Sequence, residues 1–243
     1  MRVLVVTAVA AEAEAVATGI GMSGAADVGD GGLLRTLAGG VGPAAAAAST
    51  ARELALAAAA GTPYGLVVSA GIGGGFPRWA PVGSLVVADA ITAADLGAET
   101  PDGFLTVDEL GFGRTTHLPP AALAARAARV TGAVCAPVLT VSTVTGTAAR
   151  AAALSARHPR AAAEAMEGFG VAEAAAGQGV PVLEIRAVSN AVGPRDRAAW
   201  RIGDALAALV TGFHDLAPDL LTTAEFLPAR EEPEESEEPE EQP

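Results

Sequence analysis

The 243-residue chain has no lysine and a single cysteine. It also has no apolar run near the roughly eighteen residues of a membrane span. Each absence removes a class of function. Without lysine, a Walker-type phosphate loop is excluded. The fifteen arginines are spread along the chain and mark no basic face, which argues against a nucleic-acid partner. The lone Cys135 rules out an intramolecular disulfide and a cysteine-rich metal cage, suits a reducing cytoplasm, and is expected as a small core residue. His117, His158 and His214 share no metal-ligand spacing, so no metal is expected, and they read as surface or structural residues. No G-x-S-x-G elbow occurs, which leaves serine hydrolase chemistry unsupported. No membrane partner is expected.

About half the residues, 51%, are hydrophobic, enough for one sizeable core and one large α/β domain. The net charge of -13 is misleading, because eight glutamates lie in the final EEPEESEEPEEQP. Without that stretch, 20 acids face 15 bases. The expected organisation is a folded domain over 1–215, an extension over 216–230, and an acidic tail over 231–243 that reads as disordered and solvating. The opening MRVLVVTAVAAEA imitates a signal peptide, but its basic region is minimal and Glu12 sits inside the would-be cleavage site. A first strand running into a helix is the preferred reading.

Short β-branched runs alternate with alanine-rich stretches. Strands are expected at 2–8, 33–39, 65–70, 84–91, 136–143 and 181–189. Helices are expected at about 10–18, 43–60, 119–131, 147–157, 168–177 and 197–213. Alternation of this kind predicts a largely parallel, mixed central sheet flanked by helices on both faces. The segment 92–118, rich in Gly, Asp and Thr, reads as an irregular excursion over the site.

Ligands of open α/β sheets bind beyond the carboxyl ends of the strands. There lie Glu12 and Glu14, the run SAGIGGGFP, the run STVTGT, Met166-Glu167, and Ser189-Asn190. Several of these have structural alternatives. Glu12 and Glu14 also suit the first turn of a helix, where the dipole favours acids. GIGGG lacks the third glycine of a dinucleotide fingerprint, since Phe76 stands there, and reads as a turn that either approaches a ligand or needs positive φ. Asn190 also suits a helix N-cap before GPRDR. Glu184 and Arg186 sit two apart on one expected strand, so they share a face and need partners.

The order and spacing of RVLVVTAVAAE, SAGIGGGFP with VGSLVVAD, TVSTVTGT, Met166-Glu167 and EIRAVSNAVGPRDR resemble the nucleoside phosphorylase and nucleosidase superfamily, and within it the futalosine hydrolases. The match runs from Met1 to about His214. The resemblance implies a single nucleoside phosphorylase-like domain that cleaves a purine N-glycosidic bond. It needs no cofactor, takes a small-molecule nucleoside as its partner, and assembles as a homo-oligomer whose subunits complete one another's sites.

By position Glu12 matches the general base for the attacking water, Glu167 the acid on the ribose hydroxyls, and Met166 the apolar contact with the sugar. Ser69, Gly71, Ile72, Gly73, Val144 and Ser189 fall on substrate-binding stretches, and Arg186 is expected to hold the carboxylates by a bidentate contact. Asn190 stands where adenine-releasing nucleosidases of this superfamily carry Asp and phosphorylases of 6-oxopurine nucleosides carry Asn. An amide donates toward the O6 and N7 acceptors of hypoxanthine, where a carboxylate repels them. The benzoate-bearing extension of futalosine needs an apolar wall and a cation; Phe169 and Trp200 are candidates for the wall, Arg195 and Arg197 for the cation. Either arginine also reads as a solvated helix-start residue.

The stretches TAVAAEAEA and SAGIGGG carry no arginine for a phosphate site, which favours water as the nucleophile. Relatives often read Glu-Met-Glu where this chain has Ala165-Met166-Glu167, with Glu164 displaced by one position. The aromatic that commonly stacks on the base is missing from STVTGTA, leaving Val144 and backbone to pack it. An adenine-releasing nucleosidase (methylthioadenosine/S-adenosylhomocysteine type), an inosine phosphorylase and a nucleoside-binding domain without turnover stay as alternatives.

Overall fold

The computed structural model describes residues 1–24 and 32–222. The proposed acidic tail and residues 223–230 lie outside the described residues. The elements are β1 (Arg2–Thr7), α1 (Ala10–Met22), β2 (Leu34–Ala38), α2 (Pro43–Ala59), β3 (Tyr64–Gly75), β4 (Leu85–Val87), β5 (Ile91–Ala93), β6 (Gly97–Thr100), β7 (Gly103–Thr106), β8 (Thr116–His117), α3 (Ala121–Thr131), β9 (Val134–Cys135), β10 (Val138–Thr140), α4 (Ala148–Arg157), β11 (Ala163–Ala165), α5 (Gly168–Ala176), β12 (Val182–Ala191) and α6 (Ile202–Thr222).

The main sheet runs β8-β5-β10-β11-β3-β12-β4-β9, with β1 beside β3 and β2 beside β1. Among the described residues, six of its nine strand pairings are parallel. RVLVVT forms a strand because every residue after Arg2 is buried and most are β-branched. Its side chains divide by period two: Val3 and Val5 pack on one face of the sheet with α1, α3 and α6, whereas Leu4 and Val6 pack on the other with α2 and α5. Both faces are therefore dry, as a parallel sheet requires. The opening segment is a core strand.

β3 is the axis of the site. Its first half pairs with β1, its last two residues with β11, and most of its length with β12 on the opposite edge. Between the β1 and β11 contacts, residues 70–73 have no strand on that edge among the described residues.

The structure differs from sequence expectation in several places. SAGIGGG is no turn: it continues β3 to Gly75, and none of its glycines has positive φ. Neighbouring groups require the missing side chains instead. A Cβ on Gly73 would lie 2.8 Å from the carbonyl oxygen of Glu164. Segment 92–118 carries the end of β5, the separate β6–β7 hairpin and β8, and none of it lines the cavity described below. Cys135 is exposed at the end of a two-residue strand. The last helix begins at Ile202 and passes through both the expected boundary at 215 and Pro218, because Leu216, Ala217 and Leu220 are buried against the core. That burial outweighs the lost backbone hydrogen bond of proline.

Candidate active site

The carboxyl ends of β1, β2, β3, β10, β11 and β12 converge on a cavity of about 340 Å³. Nine of the sequence-derived site residues line it: Glu12, Ile72, Gly73, Val144, Met166, Glu167, Ser189, Asn190 and Trp200. Ser69, Gly71 and Arg186 stand behind this wall. Gly74, Val41, Ala165 and Glu164 also line it and were not selected from sequence. The displaced acid of Glu-Ala-Met-Glu was the available signal for Glu164.

Glu12 sits in the first turn of α1, 4% exposed. Its Oε2 accepts from the backbone N–H of Ala8 (3.0 Å) and Val9 (3.2 Å), so the capping role and the cavity role coincide. Its Oε1 accepts from Ile72 N–H at 2.8 Å, the donor left free where β1 and β11 part along β3. Three backbone donors thus fix one carboxylate, and among the described residues no side chain hydrogen-bonds to it.

Arg186 is fully buried and spreads its guanidinium over three residues. Nε donates to Glu184 Oε1 (2.9 Å), Nη1 to Glu167 Oε2 (3.2 Å) and Nη2 to Ser69 Oγ (3.0 Å). Of the carboxylates Arg186 was expected to hold, it bonds Glu167 through one nitrogen and has no hydrogen bond to Glu12; the rest of the fork goes to Ser69 and to Glu184, which shares its strand face two residues away. Gly71 keeps the centre open: a Cβ there would lie 2.7 Å from Glu12 Oε1 and 2.8 Å from Arg186 Nη1. Burial opposes the charge of Arg186, but Glu184, Glu167 and Glu12 outweigh it and hold the guanidinium pKa above its ordinary value. Burial raises the Glu184 carboxyl, which Arg186 only partly offsets. Glu167 accepts a further bond from Gly42 N–H at 3.1 Å.

Removing Arg186 strands buried carboxylates. Arg186→Met is expected to lower unfolding free energy by about 3–5 kcal/mol, read from urea melts. A loss below about 1 kcal/mol, within the range of an exposed pair, contradicts this placement.

The β3–β12 register slips between Val188 and Asn190, a bulge that re-aims the polar end of the strand. Ser189 Oγ lies 2.9 Å from Asn190 Oδ1 and donates to it, while Asn190 Nδ2 donates to Ala191 O at 3.1 Å. With the amide oxygen taken by a hydroxyl, the NH2 end keeps a second hydrogen for a ligand. The helix-cap alternative fails, since β12 continues to Ala191.

Trp200 lines the cavity, and the guanidiniums of Arg195 and Arg197 lie 5.1 and 5.8 Å from its ring centroid. Both arginines are exposed and neither lines the cavity. Phe169 does not belong to this wall: it is buried against the His117 ring, 5.3 Å away, because the start of α5 turns it into the core. His117 itself is structural, with Nε2 2.7 Å from Glu173 Oε1. Among the described residues no three His, Cys, Asp or Glu side chains gather as a metal site, and no helix is long and apolar enough to cross a membrane.

A family profile, the phosphorylase superfamily, matches residues 8–220. The chain belongs to this superfamily. It is 66% identical over 227 residues to a futalosine hydrolase of Streptomyces coelicolor, covering 90% of this chain and 97% of the relative. It is 47% identical to a futalosine hydrolase of Acidothermus cellulolyticus, covering 86% and 88%. Among solved structures, the native futalosine hydrolase of Helicobacter pylori shares the fold at TM-score 0.71 and 15% identity, covering 90% of this chain and 98% of the other. The 5'-methylthioadenosine/S-adenosylhomocysteine nucleosidase of Neisseria meningitidis, bound to methylthio-immucillin-A, shares it at TM-score 0.70 and 19% identity, covering 90% and 99%.

Proposed function

We propose that the chain is a futalosine hydrolase, which uses water to cleave the N-glycosidic bond of futalosine and releases hypoxanthine and dehypoxanthine futalosine in menaquinone biosynthesis. The observation that carries this reading is the meeting of Glu12, Glu167 and the donor end of Asn190 in one cavity. The close relatives of that name support the substrate.

As the C1′–N9 bond breaks, positive charge grows on C1′ and O4′ and negative charge on the departing base. Glu12, oriented by three N–H groups, takes a proton from water as the oxygen attacks C1′. Glu167, steadied by Arg186 and Gly42, holds the ribose hydroxyls, and Met166 packs against the sugar. The Asn190 amide donates toward O6 and N7, where the electron pair from the broken bond is delocalised. Proton uptake by the base completes the hydrolysis. The scheme calls on no metal or organic cofactor.

Trp200 forms the wall for the benzoate end of the substrate, and the two arginines beside its ring attract the carboxylate. Trp200→Ala is expected to raise KM for futalosine about tenfold and to change KM for inosine little, since a lost apolar contact of this size is worth one to two kcal/mol. Equal effects on both substrates argue against this subsite. The lone cysteine suits the cytoplasm, and exposed Phe112 and Leu118 supply apolar surface for a homo-oligomeric contact.

Product analysis with and without phosphate tests the function. Hypoxanthine release from futalosine independent of phosphate is expected. A phosphate requirement indicates a phosphorylase, and release of adenine from an adenine nucleoside but no hypoxanthine indicates the other nucleosidase. Binding without turnover indicates a non-catalytic domain.

A further inference from the structure

The buried acid Glu184 has no part in the hydrolysis above. It is fully buried, stands behind the cavity wall, and among the described residues its Oε2 has no hydrogen-bond partner. Gly168, the first residue of α5, makes room for it: a Cβ there would collide with both carboxylate oxygens. An acid sunk this deep is costly unless its charge is used. The hydrogen bond it does accept comes from Arg186 Nε at 2.9 Å.

Sheet register shows which way that bond pulls. β3 and β12 run parallel toward the cavity, with Glu184 beside Ser69 and Arg186 beside Gly71. Glu184 and Ser69 therefore take Nε and Nη2 from the row behind Arg186, two residues further from the strand ends. Glu12 stands on the other side. Its Oε1 accepts from Ile72 N–H, one residue beyond Gly71 along β3.

The cation and the base are close. Glu12 Oε1 and Arg186 Nη1 lie 2.7 and 2.8 Å from the point that a Cβ on Gly71 would occupy, yet no hydrogen bond joins them. Opposite charges at such range attract, and a guanidinium that closed on Glu12 would take the lone pair needed for the proton of water. Ser69 is neutral, and Glu167 is itself on the cavity wall. Of the three partners of Arg186, only Glu184 draws the charge back into the core.

We propose that Glu184 is a positioning residue: it anchors Arg186 behind the cavity and keeps the guanidinium off Glu12, so that the base stays free for water. This rests on the reading of Glu12 as the general base of nucleoside hydrolysis and deepens it.

The test is a double-mutant cycle of single-turnover rates on futalosine with E184M, E12Q and the pair, and with hypoxanthine binding measured on each protein. E184M is expected to slow the wild-type enzyme about tenfold, the scale of a carboxylate base weakened by an adjacent cation. In the E12Q background it is expected to change the residual rate by less than about twofold, since residue 12 then has no base to lose. Hypoxanthine binding should stay unchanged throughout. An E184M rate equal to wild type, the same loss in both backgrounds, or a matching loss of hypoxanthine binding makes Glu184 a general support of the core and overturns the proposal. If E184M does not fold, E184D replaces it: its carboxylate falls short of Nε, the same selective loss is expected, and the same results overturn the proposal. Wild-type protein that releases no hypoxanthine overturns the functional reading and this proposal together, whereas active wild type with equal losses in the two backgrounds overturns the proposal alone.

Discussion

Glu12→Gln is expected to lower kcat by about 10³-fold, within the range of general-base catalysis, while substrate affinity stays within about threefold. The amide preserves length and shape but cannot take a proton from water. Its oxygen can still accept from Ile72 N–H or from the Ala8 and Val9 pair, so α1 keeps part of its cap. Single-turnover rates alongside equilibrium binding of intact substrate separate the two effects. An unchanged rate refutes the assignment of the base. A parallel loss of binding and rate means that the carboxylate serves only to position the sugar.

Asn190→Asp is the second large effect. Ser189 would still donate to one oxygen of the new carboxylate, and the other would face the O6 and N7 acceptors of hypoxanthine. An acceptor against two acceptors, in a cavity that limits water, is expected to cost about 10³-fold in kcat/KM on futalosine. The adenine-bearing counterpart, which offers a donor at N6, is expected to lose far less or to gain. Comparing kcat/KM for both nucleosides gives the ratio directly. Equal activity of the variant on futalosine removes the amide from the specificity argument.

Much of this site was legible in the sequence because its residues sit at strand ends, and the strands are marked by continuous β-branched runs. RVLVVT, GLVVSA and PVLEIRAV each announced a strand buried on both faces, and Glu12, Gly73 and Asn190 followed from where those runs stop. The pairing of Glu184 with Arg186 was also foreseeable from their spacing.

Other features depended on tertiary contact and left no local trace. Glycines ordinarily signal turns, yet Gly71 and Gly73 lie in an extended strand because Glu12, Arg186 and the Glu164 carbonyl occupy the space of their side chains. β11 is three residues long, too short for periodicity to reveal, so Glu164 stood out only as an acid displaced by one position. Phe169 follows Glu167 by two positions, but the first turn of α5 sends it away from the cavity. The last helix was expected to stop near 213, and only the burial of Leu216 and Leu220 explains why it continues through Pro218.

The most direct test of the account is a crystal structure of the Glu12→Gln protein holding uncleaved futalosine. The base is expected at the end of β12, with Asn190 Nδ2 within hydrogen-bond distance of O6 or N7. C1′ should face residue 12 across one water, and the benzoate should lie along Trp200. A nucleoside bound outside this cavity, or with its base at Trp200 and its sugar remote from residue 12, would contradict the account.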